Sequence, residues 1–140
     1  PYYREPIEAS PENPLYRRYP LTLLFSHSRN RIHSTFANMP RVKQLEPEPM
    51  VEMHRADAER RSISDDHFVR VYNQRGSVRL KCRINADLRP GVVVISEGSW
   101  VKDFCEGDPY SLTHELVSAT SENYAFYDTL VEVEAVDAAT

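Results

Sequence analysis

Residues 67–84, "HFVRVYNQRGSVRLKCRI", decide the fold. Val78, Leu80, Cys82 and Ile84 alternate with Arg79, Lys81 and Arg83, the period-two pattern of a strand with one face buried and the other in water. Upstream, Val69 and Val71 supply a partner strand. Asn73-Gln74-Arg75-Gly76 supplies the turn, with Gly76 available for a positive φ. The stretch predicts a β-hairpin.

The flanking chain continues in strands. Leu88-Arg89-Pro90-Gly91 reads as a turn in which proline presets one φ and glycine tolerates the next. Val92-Val93-Val94-Ile95 is apolar without alternation, the pattern of a strand covered on both faces. Val131, Val133 and Ala135 interleave with Glu132 and Glu134, "PMVEMH" at 49–54 suggests a shorter strand, and "LTLLF" at 21–25 brings the total to six. Helix is scarce. "RADAERRS" at 55–62 and "STFANMPRVKQL" at 34–45 each allow a turn or two, the latter divided at Pro40. Six short strands with one or two short helices predict a mainly-β fold, a closed or nearly closed barrel. A chain of 140 residues fits one domain, and a domain of that size buries roughly 70% of its unfolded surface.

Lys+Arg of 17 against Asp+Glu of 21 gives a net charge of -4. That lacks the basic excess of a protein whose main partner is a polyphosphate backbone, so nucleic-acid binding is not expected. No stretch approaches the ~20 apolar residues of a membrane-spanning helix, so direct membrane insertion is not expected either. Residues 1–18 read as a proline-rich, extended lead-in, cut from something longer, to a domain occupying residues 19–140. Cys82 and Cys105 lie 23 apart with no CxxC, which indicates neither a zinc framework nor a disulfide scaffold and leaves cytoplasm and periplasm both open.

The strand at 21–25 runs straight into "SHSRNRIHS", residues 26–34. Arg29 and Arg31 offer planar forks of N–H donors, His27 and His33 add ring nitrogens, and Ser26, Ser28 and Ser34 add hydroxyls. Such a set suits a phosphate or another polar anion. The alternative is a solvated loop whose arginines pair with surface carboxylates. A metal is less expected: His27 and His33 are six apart, not the i, i+4 of a helical pair, and no Cys, Asp or Glu lies inside the loop. His54, His67 and His114 read as surface or structural residues.

Other chemistry finds little support. There is no GxSxG elbow, and Cys105 in "DFCEGD" sits among acids that disfavour a thiolate, so it reads as buried or inert. Four glycines, at 76, 91, 98 and 107, make neither a Walker loop nor a GxGxxG fingerprint. In "SEGSW", 96–100, a flat ligand could approach the backbone at Gly98, or Trp100 could simply cap the core. "TSENYAFYDT", 120–129, gathers Ser121, Asn123, Tyr124 and Tyr127, which could read a heterocycle edge or form an ordinary turn with half-buried tyrosines.

Three motifs in order carry a resemblance. They are "HxxxRxHSxFxN" (His27, Arg31, His33, Ser34, Phe36, Asn38), "VxVYNxRGxV" from Val69 to Val78, and "RPGVVxxxxGxW" from Arg89 to Trp100. Over roughly residues 19–136 the chain resembles the C-terminal, molybdopterin-dinucleotide-binding domain of the dimethyl sulfoxide reductase family of molybdenum enzymes, and within it the catalytic subunit of the membrane-associated reductase. The resemblance implies a six-stranded double-psi β-barrel that closes over bis(molybdopterin guanine dinucleotide) carrying molybdenum or tungsten, ligated by parts of a parent enzyme absent here. It implies as partners the remaining domains of that enzyme, an iron-sulfur electron-transfer subunit and a membrane-anchor subunit. Carried across by position, the cofactor-binding residues are Ser26, His27, Arg29, Arg31, His33, Ser34 and Asn38, with Gly98, Asn123 and Tyr124 from elsewhere. The chain departs from the family at "SISDDHF", where Ser62 and Asp66 replace glycines, so the turn there must accept side chains. It also lacks a cysteine cluster for an iron-sulfur centre, and turnover by this chain alone is not expected. The rival reading is a stand-alone double-psi barrel acting as a protein-interaction or assembly module.

Overall fold

The computed structural model describes residues 2–118 and 122–137. Its strands are β1 (Leu21–Ser26), β2 (Met50–Met53), β3 (Phe68–Tyr72), β4 (Ser77–Ile84), β5 (Val92–Ser96), β6 (Glu106–Gly107) and β7 (Thr129–Ala135), with helices α1 (Pro40–Leu45) and α2 (Arg55–Glu59). The predicted hairpin is β3–β4, paired antiparallel with Val71 opposite Val78. Its turn works differently from the expectation. Gly76 does not take a positive φ; it lacks a side chain because a Cβ there would lie 2.5 Å from Ser111 Oγ. The turn is held instead by Asn73, whose Oδ1 accepts from the N–H groups of Arg75 and Gly76 at 2.9 and 3.3 Å.

Six strands close on themselves in the order β2-β5-β1-β7-β3-β4, with β4 returning to β2 and the two-residue β6 appended to β4. Two pairs are parallel, β1–β5 and β2–β4, and antiparallel β2–β5 joins them. This is the closed barrel expected, and closure removes the exposed edges an open sheet would leave. Leu21, Leu23, Phe25, Val51, Met53, Val69, Val71, Val78, Leu80, Cys82, Val93, Ile95, Val131 and Val133 fill it. The β5 expectation needs correcting. Val92 and Val94 are only half-buried while Val93 and Ile95 are fully buried, because every strand of a single barrel has one outer face.

Other local readings hold. Pro40 opens α1 at its first turn, where its missing N–H costs nothing. Ser62 and Asp66 take φ of 55 and 62°, the left-handed turn their side chains have to accept. Cys105 is exposed, not buried; Cys82 is the buried cysteine. Trp100 points outward, 45% exposed, and does not cap the core.

The proline-rich lead-in docks onto the barrel from Ile7 onward. The Asp128 carboxylate accepts from the N–H groups of Ile7, Glu8 and Ala9 at 2.6–3.2 Å. Glu8, buried, takes a bidentate pair from Arg75 at 2.6 and 2.7 Å and the N–H of Leu130 at 2.8 Å. A 3₁₀ turn at Pro14–Arg17, capped by Asn13, then delivers buried Tyr19 to the start of β1. This strap is a fitted part of the folded unit.

Candidate functional site

β1 ends at Ser26 beside the end of β5, because the two strands run parallel and in register from Thr22–Val92 to Ser26–Ser96. The polar loop therefore leaves the barrel next to Glu97, Gly98 and Ser99. Its path contains no glycine, yet His33 and Phe36 adopt φ of 47 and 72°, a conformation costing roughly 1–2 kcal/mol for each such residue.

Gly98 and Glu46 hold that path. At Gly98, with φ of 79°, a Cβ would lie 2.3 Å from the backbone carbon of His33. The side that would admit a ligand's flat face is taken by the loop itself. Glu46, just past α1, accepts from Ser28 Oγ at 2.5 Å, Asn30 Nδ2 at 2.9 Å and Arg31 Nε at 2.9 Å. Arg31 also donates to the His33 carbonyl at 3.1 Å and to Ser99 Oγ at 3.0 Å. Burial pushes the Glu46 carboxyl up, but the hydrogen bonds from Ser28, Arg31 and Asn30 and the Arg31 charge outweigh it and hold the group below its ordinary value.

The loop, α1 and β2 enclose a cleft of about 410 Å³. Of the ten predicted residues, Ser26, His27, Arg29 and Arg31 line it. Ser34 and Asn38 are exposed on the outer arm of the loop, and His33 sits beside His27 at a ring separation of 5.3 Å. Asn123 and Tyr124 lie on an exposed turn closed by a Val117–Tyr124 bridge, away from the cleft lining. Ser121 falls outside the described residues. His54 and His67 are structural, accepting from the N–H groups of Ala56 and Ser64, and His114 contacts the Asp128 carbonyl at 2.6 Å.

An anionic ligand fits this donor set only if the carboxylates around the cleft are already engaged, and they are. Glu46 is held as described, Glu48 pairs with Lys81 at 2.7 Å, Glu52 accepts from Asn85 at 2.7 Å, and Asp103 accepts from the Trp100 N–H at 3.3 Å. Arg29 and Lys43, both lining the cleft, have no partner among the described residues. Sequence reasoning missed Glu46, Lys43, Glu97 and Ser99. Only the last two lay in a stretch already read as a candidate ligand contact, and no pattern in the sequence joins Glu46 to Arg31, 15 residues upstream.

The fold and the site together describe a barrel domain with a stiffened polar loop at the mouth of a cleft. The family described as "Molydopterin dinucleotide binding domain" matches residues 21–130, and the chain belongs to that family, within the dimethyl sulfoxide reductase group of molybdoenzymes. A Halobacterium salinarum relative, whose name makes it the catalytic chain of a dimethyl sulfoxide reductase, is 40% identical over 82% of this chain and 14% of its own length. Dimethyl sulfoxide reductase DmsA of Escherichia coli is 35% identical over 71% of this chain and 12% of its own. The chain thus spans only about a seventh of the longer relatives it matches. Among solved structures, acetylene hydratase from Pelobacter acetylenicus superposes over 97% of this chain and 21% of its own, with a TM-score of 0.72 at 20% identity, a likeness of fold.

Proposed function

We propose that this chain is the cofactor-gripping part of a larger molybdenum oxidoreductase, of the S-oxide or N-oxide reductase type, and holds bis(molybdopterin guanine dinucleotide). The observation that carries this reading is the pair of free cations, Arg29 and Lys43, over a cleft whose carboxylates are all engaged, in a chain of this family. When bound, that cofactor supplies the redox chemistry, and the protein supplies position and charge. Arg29 and Lys43 would donate to its phosphates, with Ser26 and His27 beside them. Arg31 acts one step back, since three of its five N–H donors are given to Glu46, His33 and Ser99. His33, Ser34 and Asn38 on the outer arm, and Asn123 and Tyr124 on their turn, would meet the cofactor where the remaining domains of the parent enzyme close on it. An iron-sulfur subunit and a membrane-anchor subunit complete the proposed assembly.

The test is the molybdenum and GMP content of the native polypeptide that contains this sequence, with and without Arg29→Ala plus Lys43→Ala. A chain several times larger than 16.2 kDa that carries both, and loses both in the double variant before its substrate preference changes, is expected. Unchanged cofactor content in the variant refutes the site. A metal-free polypeptide of domain size would favour the assembly-module reading.

A further inference from the structure

Nothing in the reading above uses Glu97. It follows β5, its side chain is 11% exposed, and its Oε1 lies 2.8 Å from His27 Nδ1 and 2.9 Å from His33 Nδ1. Yet that buried oxygen has no hydrogen-bond partner. Both ring nitrogens crowd it without directing an N–H at it. One ligand atom from each of His27, His33 and Glu97 lies within 4.8 Å of the other two, and ligands at ~2.0–2.1 Å around a four-coordinate ion stand roughly 3.3 Å apart.

We propose that His27 Nδ1, His33 Nδ1 and Glu97 Oε1 form a binding site for a divalent first-row transition ion of zinc-like chemistry, with at least one coordination position open. Two imidazoles and a carboxylate form a mixed N/O donor set suited to Zn²⁺ or Fe²⁺, and short of the all-oxygen shell that Mg²⁺ and Ca²⁺ take. The site is built before any ion arrives. His33 is fixed in its left-handed conformation by packing onto Gly98, the neighbour of Glu97, so one close approach places two of the three ligands. The rings of His27 and His33 are 72% and 65% exposed, which leaves the open position accessible to water or to an oxygen of another ligand. Ligation through Nδ1 leaves each Nε2–H free to donate. The ion and the cofactor contacts proposed for His27 and His33 therefore do not compete for the same atom, and the metal site stands whether or not the cofactor reading does.

The experiment is a Co²⁺ titration of the 140-residue chain, whose closed barrel carries its own core, followed by visible absorption. One equivalent should bind with the d–d band of a four-coordinate N/O site and be displaced by Zn²⁺. Glu97→Gln should weaken binding at least about tenfold, and His27→Ala, at an exposed side chain, should abolish the band with the far-ultraviolet circular dichroism unchanged. Arg29→Ala plus Lys43→Ala should leave the titration untouched, which separates failure of this site from failure of the cofactor site. No band at one equivalent, or a Co²⁺ affinity unaltered by either Glu97→Gln or His27→Ala, overturns the proposal.

Discussion

Arg75 and Arg31 each tie down a segment through a carboxylate, in contrasting surroundings. Arg75 spends both terminal nitrogens on Glu8, 67 residues away, and its Nε on the Leu112 carbonyl at 2.7 Å. Asn73, beside it in the hairpin turn, donates to the carbonyls of Leu112 and Leu130. The Glu8 carboxylate and the Asn73 amide are consumed internally there, and the strap is pinned to the barrel. Arg31 is more deeply covered, 6% exposed against 22% for Arg75, but it holds only the base of its loop and leaves His27, Arg29 and His33 in the open. Deep pairing thus serves two ends. At the strap it completes the fold; at the loop it stiffens a platform whose outer donors stay available.

That contrast can be broken by substitution. Glu8→Ala should cost the most, about 3–5 kcal/mol, because it leaves the Arg75 guanidinium half-buried and uncompensated. It should appear as a fall in Tm and as faster labelling of buried Cys82, whose thiol burial, aided by Asp65, pushes up to about 12; unchanged labelling would show that the strap is not part of the cooperative unit. Gly98→Ala should cost about 2 kcal/mol from its positive φ alone, and the clash with His33 should displace the loop and lower Co²⁺ and cofactor binding while the barrel stays closed. Arg31→Ala should cost about 1.5 kcal/mol, with amide exchange rising over residues 27–38 and not over the strap.

The smallest effect is with pH. The folded Glu46 carboxyl is held below its ordinary value of 4.5, so its contribution is fully present above that value and is lost as pH falls through the lower, folded one. Loop protection relative to the intrinsic exchange rate at each pH should therefore fall on acidification below about pH 4.5 in the wild type and be insensitive to that change in Glu46→Gln, as hydrogen exchange by mass spectrometry would show.

The sequence was most legible where the signal was local. Alternation over Val78 to Ile84 is a property of one strand, whereas the turn that Ser62 and Asp66 must accept was legible only through the family resemblance. It was least legible where the reason for a residue lies far along the chain. Gly76 is small because of Ser111, and Gly98 because of His33; turn chemistry alone suggests a φ for the first and a ligand for the second. The loop announced its donors but not its anchors, since a glutamate on a neighbouring element carries no periodicity. Of the loop's two arginines, Arg31 pairs with a carboxylate and Arg29 has no side-chain partner among the described residues.

The Asp128 carboxylate that receives the N–H groups of Ile7, Glu8 and Ala9 stands about 120 residues downstream of them, and β1 pairs with β5 and β7. As the polypeptide leaves the ribosome, its first strand has no neighbour until β5 emerges, and one side stays open until the last strand has been made. Such long-range pairing makes a domain slow to fold and exposes it meanwhile to aggregation. The strap must wait for about 120 further residues to be made, so a nascent chain stalled before Thr129 would hold out an unpaired edge for chaperones to cover.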